Sequence, residues 1–328
     1  MTKLLTPAYN EICSLQTETQ KQFIREHDSL SWETFDWRAL ENSGSPDRSL
    51  PRSVILQWET DQPVSFLQVT MDQTVLISQE LTENTYILEN LIPGIIYEWT
   101  VNGQRSRFIT EDAFPRWIHA EGASNIRDMG GLRTLDGHRI RYGRLYRGTE
   151  MDTHHSITEE GLHVLNDVLH IRTDLDLRGE AVDKVFSSPM GDTVDFQLIP
   201  ILAYDELTKT AKETQAMKRI FDLLADENSY PIYYHCWGGA DRTGCLAFIL
   251  EAFLGVDLED RLLDYELTSL SIWGVRSRNG NGMQEMLKAL RNYGEDPTYR
   301  TQAIAYLKDC GITDATLNAV KKNLLDLQ

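Results

Sequence analysis

Cysteine is scarce in this chain, and the four present, Cys13, Cys236, Cys245 and Cys310, are scattered without a paired framework. That pattern excludes a disulfide-stapled secreted fold and favours a reducing compartment. Metal-ligand spacings are missing too, so no metal and no cofactor is expected. No apolar run approaches the roughly 18 residues that span a bilayer. The opening segment MTKLLTPAYNEICSLQ is broken by Pro7, Asn10 and Glu11 before a signal-peptide core develops. The expected location is cytoplasmic, with no stable membrane association. Basic charge is also short: 32 Lys and Arg against 50 Asp and Glu leave a formal net charge of -18. A broad basic face for nucleic acid is thereby excluded, and any anion site has to be local.

What is there suffices for two or more packed domains, with 328 residues of which 41% are hydrophobic. Between about residues 50 and 111 the chain reads as short strands, SVILQWET, SFLQVTM, TVLISQEL, TYILENL, IIYEWTV and RSRFIT, rich in β-branched and aromatic residues. Asn102-Gly103 is a hairpin signal between the last two. From Glu121 the texture changes to strands alternating with helices: IRTDLDLR, VDFQLIPI and PIYYHC as strands, TAKETQAMKRIFDLLAD and TGCLAFILEAFLG as helices. After Val256 a helical tail follows, its last helix starting at Thr313-Asp314. The expected division is an N-terminal extension over 1–48, partly helical, a β-sandwich over 49–112, and an α/β domain with a central sheet flanked by helices over 113–328.

The segment PIYYHCWGGADRTGCLAF concentrates the chemistry. A buried strand is joined to a buried helix by the loop CWGGADR. Backbone N–H groups of such a glycine-bearing loop converge on one point, and the helix dipole adds positive potential there, so a phosphate-sized dianion is the natural occupant. Arg242 can clamp two phosphate oxygens in a fork. Cys236 sits in the same field, a setting in which thiols become thiolates at neutral pH. Thr243 is placed to donate its hydroxyl to the departing sulfur, and His235 to hold the loop backbone from behind. Asp241 is read either as the group that positions a hydrolytic water or as a helix-capping aspartate. Trp237, Gly238, Gly239 and Ala240 complete the loop that would surround the phosphate.

HCWGGADRTG resembles the signature of cysteine-based protein tyrosine phosphatases, His-Cys-x-x-Gly-x-x-Arg-Ser/Thr, filled at His235, Cys236, Gly239, Arg242 and Thr243. The stretch NIRDMGGLRTLDGHRIRYGRLYRG, together with TDLDLRGE, DYELTS and YLKDCGITDATLNAVKKNLL, is similar to a bacterial and fungal branch of that family. Some members of the branch act on phosphotyrosine and some on phosphoinositides. The resemblance implies a cysteine-based tyrosine phosphatase fold, a cysteinyl-phosphate intermediate and no metal. The β-rich segment before it resembles a fibronectin type III or immunoglobulin-like sandwich by pattern. Where the branch commonly has a lysine before the loop aspartate, this chain has Ala240. The missing cation weakens the case for highly phosphorylated lipid headgroups, so the expected partner is a phosphorylated protein or a small phosphomonoester.

Loss of an alcohol or phenol from phosphorus is eased by an acid near the leaving oxygen, and two aspartates after strands are candidates. Asp176 in TDLDLRGE matches the acid position of the resembled branch, and Asp205 lies 31 residues before Cys236, as acid loops do in other cysteine phosphatases. Six arginines crowd residues 127–147, and of these Arg127 and Arg147 are the expected substrate contacts. The histidines outside the loop, His154 and His155 among them, read as ordinary surface or core residues. An inositol phosphate or phosphoinositide phosphatase and a non-catalytic phosphate-binding adaptor are the competing readings of the whole.

Overall fold

The computed structural model describes residues 1–26, 47–179 and 187–327. The chain divides into two compact units: Met1–Glu18 with Pro51–Ile118, and Thr19–Leu50 with His119–Gln328.

In the first unit β1 (Lys3–Thr6), β3 (Val54–Glu59) and β6 (Thr85–Leu88) form one sheet in the order β1-β3-β6. A second sheet runs β2-β8-β7-β4-β5, from β2 (Glu11–Cys13), β4 (Ser65–Met71), β5 (Thr74–Leu81), β7 (Ile96–Val101) and β8 (Gln104–Thr110). The alternation of VILQWE puts Val54, Leu56 and Trp58 inward. They share one core with Leu67, Val69, Tyr97, Trp99 and Phe108 of the other sheet, which makes the unit a sandwich. Each such side chain contributes about 1.5–3 kcal/mol by leaving water. Asn102 and Gly103 turn the β7–β8 hairpin with φ of 50° and 83°, the left-handed pair such a two-residue turn requires.

The unit boundary differs from the expected one. Residues 1–18, read as an extension, belong to the sandwich, where β1 pairs antiparallel with β3 and β2 parallel with β8. Strands of four and three residues are too short to display a period. Residues 19–50, with helix α1 (Glu18–Arg25) at their start, fall in the second unit, and 27–46 of that stretch lie outside the described residues.

The second unit is α/β. Its strands β9 (Arg127–Asp128), β10 (Leu145–Gly148), β11 (Thr173–Asp176), β12 (Asp195–Leu198) and β13 (Ile232–His235) run in the order β12-β11-β13-β10-β9. β13 is central and parallel to both neighbours, with His235 in register with Asp176 on one side and Gly148 on the other. Strands buried on both faces in this way read as unbroken apolar runs, as IYY does here. Helix α3 (Ala211–Ala225) is capped by Thr210 and buries Ala216, Met217, Ile220, Phe221 and Leu224 on one face. Helix α4 (Asp241–Leu254) follows β13 and is buried from Thr243 to Leu254. It packs against α5 (Leu258–Glu266) and α7 (Arg300–Asp309), which explains why its sequence lacks a polar face. The tail adds α6 (Asn281–Leu290) and α8 (Asp314–Leu324), the latter capped by Thr313. A short helix the sequence pattern did not show, α2 (Glu159–His163), continues into a π turn over Val164–Val168. Among the described residues no helix is long and apolar enough to cross a membrane.

Candidate active site

The loop Cys236–Ala240 leaves the end of the central strand and enters α4. Its two glycines are dictated by neighbours. Gly239 has φ of +62°, and a Cβ there would come within 2.4 Å of the Gly148 carbonyl oxygen. A Cβ on Gly238 would meet the Trp273 ring at 2.6 Å. The loop carbonyls are held from behind. Asn125 Nδ2 donates to Gly238 O at 3.0 Å, Arg147 Nη2 to Gly239 O at 2.9 Å, and Glu150 N to Trp237 O at 3.1 Å. With these carbonyls engaged away from the pocket, the loop N–H groups and the side-chain-uncapped start of α4 are left for an oxyanion.

Cys236, Arg242 and Ala240 line one cavity of about 300 Å³ together with Trp237, Trp273 and His154. Arg242 makes no hydrogen bond or ion pair among the described residues, so its guanidinium is available to a ligand. The Thr243 hydroxyl is buried and has no hydrogen-bond partner among the described residues. Trp237 packs between Arg178, whose Cζ lies 5.2 Å from the ring centroid, and His154, which meets it edge-on at 4.7 Å. Trp273 donates from Nε1 to His155 Nε2 at 2.9 Å.

Asp241 also reaches the cavity, but its carboxylate is fully engaged. Arg276 donates to it from Nε at 2.8 Å and Nη2 at 3.0 Å, and the Tyr204 hydroxyl donates to Oδ1. Burial resists its charge, yet Arg276 and Tyr204 hold its carboxyl below the usual carboxylate range. Tyr204 in turn contacts the Tyr265 hydroxyl at 2.9 Å.

Several expected contacts lie elsewhere. Arg127 and Arg147 are fully buried and do not touch the cavity. Arg127 donates to Asp264 Oδ1 and to Asp264 O, each at 2.7 Å, and Arg147 donates to Asp264 Oδ2. They brace the loop from underneath, a role the sequence could not distinguish from substrate binding because both need a fixed cation. His235, also expected at the substrate, is buried behind the loop. Its Nε2 lies 3.0 Å from Asp174 Oδ1 and its Nδ1 3.2 Å from Cys236 O. Burial pulls its pKa down, but Asp174 more than compensates and lifts it to about 9, so the ring is an imidazolium donating on both sides.

Neither aspartate expected as proton donor lines the cavity. Asp176 is fully buried, accepting from Arg178 Nε at 2.9 Å and Nη2 at 2.7 Å. Asp205 sits on a 3-10 turn, paired with Lys209 at 2.5 Å on the surface. From that turn it is the neighbouring Tyr204 that reaches the Asp241 carboxylate, without itself lining the cavity. Sequence reasoning missed Tyr204, His154, Trp273 and Arg276. The His-His pair after Asp152 and the Trp and Arg flanking Gly274 were the available signals, and both stand far from the loop in sequence.

The match to known proteins follows this geometry. Residues 118–326 match the model of a tyrosine phosphatase family. The chain belongs to that family. It is a phosphatase with the α/β fold of the cysteine-based enzymes and an additional N-terminal β unit. A Cupriavidus necator protein assigned as a tyrosine-protein phosphatase is 25% identical over 220 residues, 60% of this chain and 76% of the relative. Among solved structures, the core catalytic domain of the PP-IP phosphatase SIW14 from S. cerevisiae is 14% identical, covering 40% of this chain and 75% of that one at a TM-score of 0.29. TpbA of P. aeruginosa, solved in complex with pTyr, is 18% identical, covering 46% and 89% at a TM-score of 0.28. The family match takes in the loop, both bracing arginines and the Trp273–Arg276 segment.

Proposed function

We propose that this phosphatase is cysteine-dependent and metal-independent, and that it hydrolyses phosphotyrosine through a cysteinyl-phosphate. The observation that carries the reading is the meeting of Cys236 and Arg242 in one cavity that Trp237 and Trp273 also line. Cys236 attacks phosphorus, and Arg242 with the loop N–H groups stabilises the equatorial oxygens, where charge accumulates in the transition state. A proton reaches the leaving oxygen, and water then releases phosphate from sulfur. Aromatic walls favour a flat leaving group, since ring contacts contribute about 0.5–1.5 kcal/mol beyond area alone. Against inositol phosphates stands Ala240, buried and uncharged, and the second cavity arginine, Arg276, is already neutralised by Asp241. Free thiols at all four cysteines fit work in a reducing, cytoplasmic setting.

The test is turnover of 4-nitrophenyl phosphate in excess chelator. Wild type should be unaffected. Cys236→Ser should lose at least ~10⁴-fold while still binding vanadate, and Arg242→Ala should lose both turnover and binding. Metal-dependent activity, or activity retained by Cys236→Ser, overturns the mechanism. A side-by-side comparison of phosphotyrosyl peptides with inositol phosphates decides the substrate.

A further inference from the structure

Trp273 is half-buried in the cavity lining, and its ring packs on the loop backbone, where a Cβ on Gly238 would meet Cδ2 at 2.6 Å. Its main chain is fixed locally. Trp273 N donates to Ser271 Oγ at 3.2 Å, and Trp273 O accepts from Arg276 Nη1 at 3.3 Å. Neither bond sets the side-chain torsions, which a half-buried ring can otherwise change. Among the described residues the indole makes one hydrogen bond, from Nε1 to His155 Nε2 at 2.9 Å.

We propose that His155 is the positioning residue for Trp273, and that the indole it holds makes the cavity prefer aryl over alkyl phosphomonoesters. The proposal rests on the phosphatase reading above and deepens its substrate claim by naming the pair that sets the preference.

His155 is suited to hold a ring in place because it is itself held. It is buried, and its N–H donates to Glu150 Oε1 at 2.9 Å. Glu150 N donates in turn to Trp237 O at 3.1 Å. The contacts thus leave the loop at Trp237, pass through Glu150, His155 and Trp273, and return to the loop at Gly238. The His155 and Trp273 rings also lie 5.7 Å apart at a tilt of 37°, so packing supports the hydrogen bond.

The bond demands one form of the histidine. An indole N–H only donates, so Nε2 has to accept, and the ring must be neutral with its proton on Nδ1. Its surroundings favour that form. Burial lowers the pKa of His155, outweighing the Glu150 and Asp47 carboxylates and a hydrogen bond to the Gly122 backbone, while the neighbouring His154 acts in the same direction as burial. The clasp is therefore closed at neutral pH. In acid, protonation would set a donor against a donor and release the indole.

The test is competitive inhibition of 4-nitrophenyl phosphate turnover by phenylphosphonate and methylphosphonate, with vanadate as a control that has no ring. The ratio of the two phosphonate Ki values isolates the ring contact, because both present the same anion. Wild type should bind the phenyl compound more tightly at neutral pH. His155→Leu should lose about three- to tenfold of that ratio, the size of an aromatic contact. Trp273→Phe, which keeps a ring but has no N–H, should lose ratio too, and adding His155→Leu to it should cost little more. His155→Gln offers an accepting oxygen that does not titrate, and should keep the ratio. As pH falls from about 7.5 to 5, the wild-type ratio should drop below about pH 6, while that of His155→Gln stays level. Vanadate affinity should stay within about threefold throughout. An unchanged ratio in His155→Leu, vanadate affinity falling in step with phenylphosphonate, or the same acid drop in His155→Gln would each overturn the assignment. A wild type with no phenyl preference would strike the aryl substrate reading and the proposal with it, whereas turnover by Cys236→Ser would strike the covalent mechanism alone.

Discussion

Gly239 and His235 show how closely single residues set the loop. Gly239→Ala would place a methyl 2.4 Å from a backbone oxygen at a φ of +62°, and neither partner is the free end of a side chain. We expect a stability loss of about 1–3 kcal/mol in denaturant unfolding and a fall in kcat/KM of at least tenfold. Wild-type kinetics in that variant would mean the loop backbone does not hold the phosphate. His235 adds a pH dependence with a defined sign. Its folded pKa of about 9 lies above the ordinary histidine value, so the folded chain binds the proton more tightly than the unfolded chain. The stabilisation from the Asp174 pair is complete below about pH 6.5 and fades as pH rises through 9. His235→Gln should flatten the fall in unfolding free energy across that window. An equally steep fall in the variant would mean another group carries it.

At the scale of elements, the site depends on a segment that its own sequence hardly announces. Residues 271–280 bring Trp273 and Arg276 to the cavity, and Arg278 pins them: its N and Nε donate to Glu266 Oε1 at 2.7 and 2.9 Å, and its Nη2 to Oε2 at 2.9 Å. Arg278→Ala leaves Glu266 buried without its cation, which typically costs about 3–5 kcal/mol. We expect that loss in chemical denaturation, with a higher KM for phosphotyrosyl peptides as the Trp273 wall loosens. Unaltered stability would show that the pair does not anchor the segment. Sheet and helix patterns were legible because they are local: SFLQVTM and TVLISQEL fold over the residues their composition marks, and Thr210 and Thr313 cap the helices they precede. The loop between the central strand and α4 was legible for the same reason, all its parts lying between His235 and Thr243. His154, Tyr204 and Trp273 were not, since what makes them site residues is convergence across the fold. Arg127 and Arg147 were misread because a sequence carries no burial, and a fully buried cation braces where an exposed one would bind.

The whole molecule carries a formal charge of -18, while its reaction centre is built to receive a dianion. These act over different distances. On the proposed mechanism Arg242 and the loop N–H groups attract phosphate at contact, whereas the diffuse negative charge repels an approaching anion over a Debye length of about 8 Å at physiological salt. Substrate flanks are therefore discriminated by the long-range field and the phosphate by the short-range one. A phosphotyrosyl peptide with acidic flanks should gain in kcat/KM as ionic strength rises from about 0.02 to 0.3 M, because screening removes repulsion faster than it weakens contacts inside the cavity. A basic-flanked peptide should be the better substrate at low salt and lose that advantage over the same range. Anionic phosphoinositide vesicles, which present many charges at once, should be the poorest of the three at low salt. If the acidic-flanked peptide instead lost activity with added salt in step with the basic one, the local cation field would dominate at every distance, and the global charge would have no say in substrate choice.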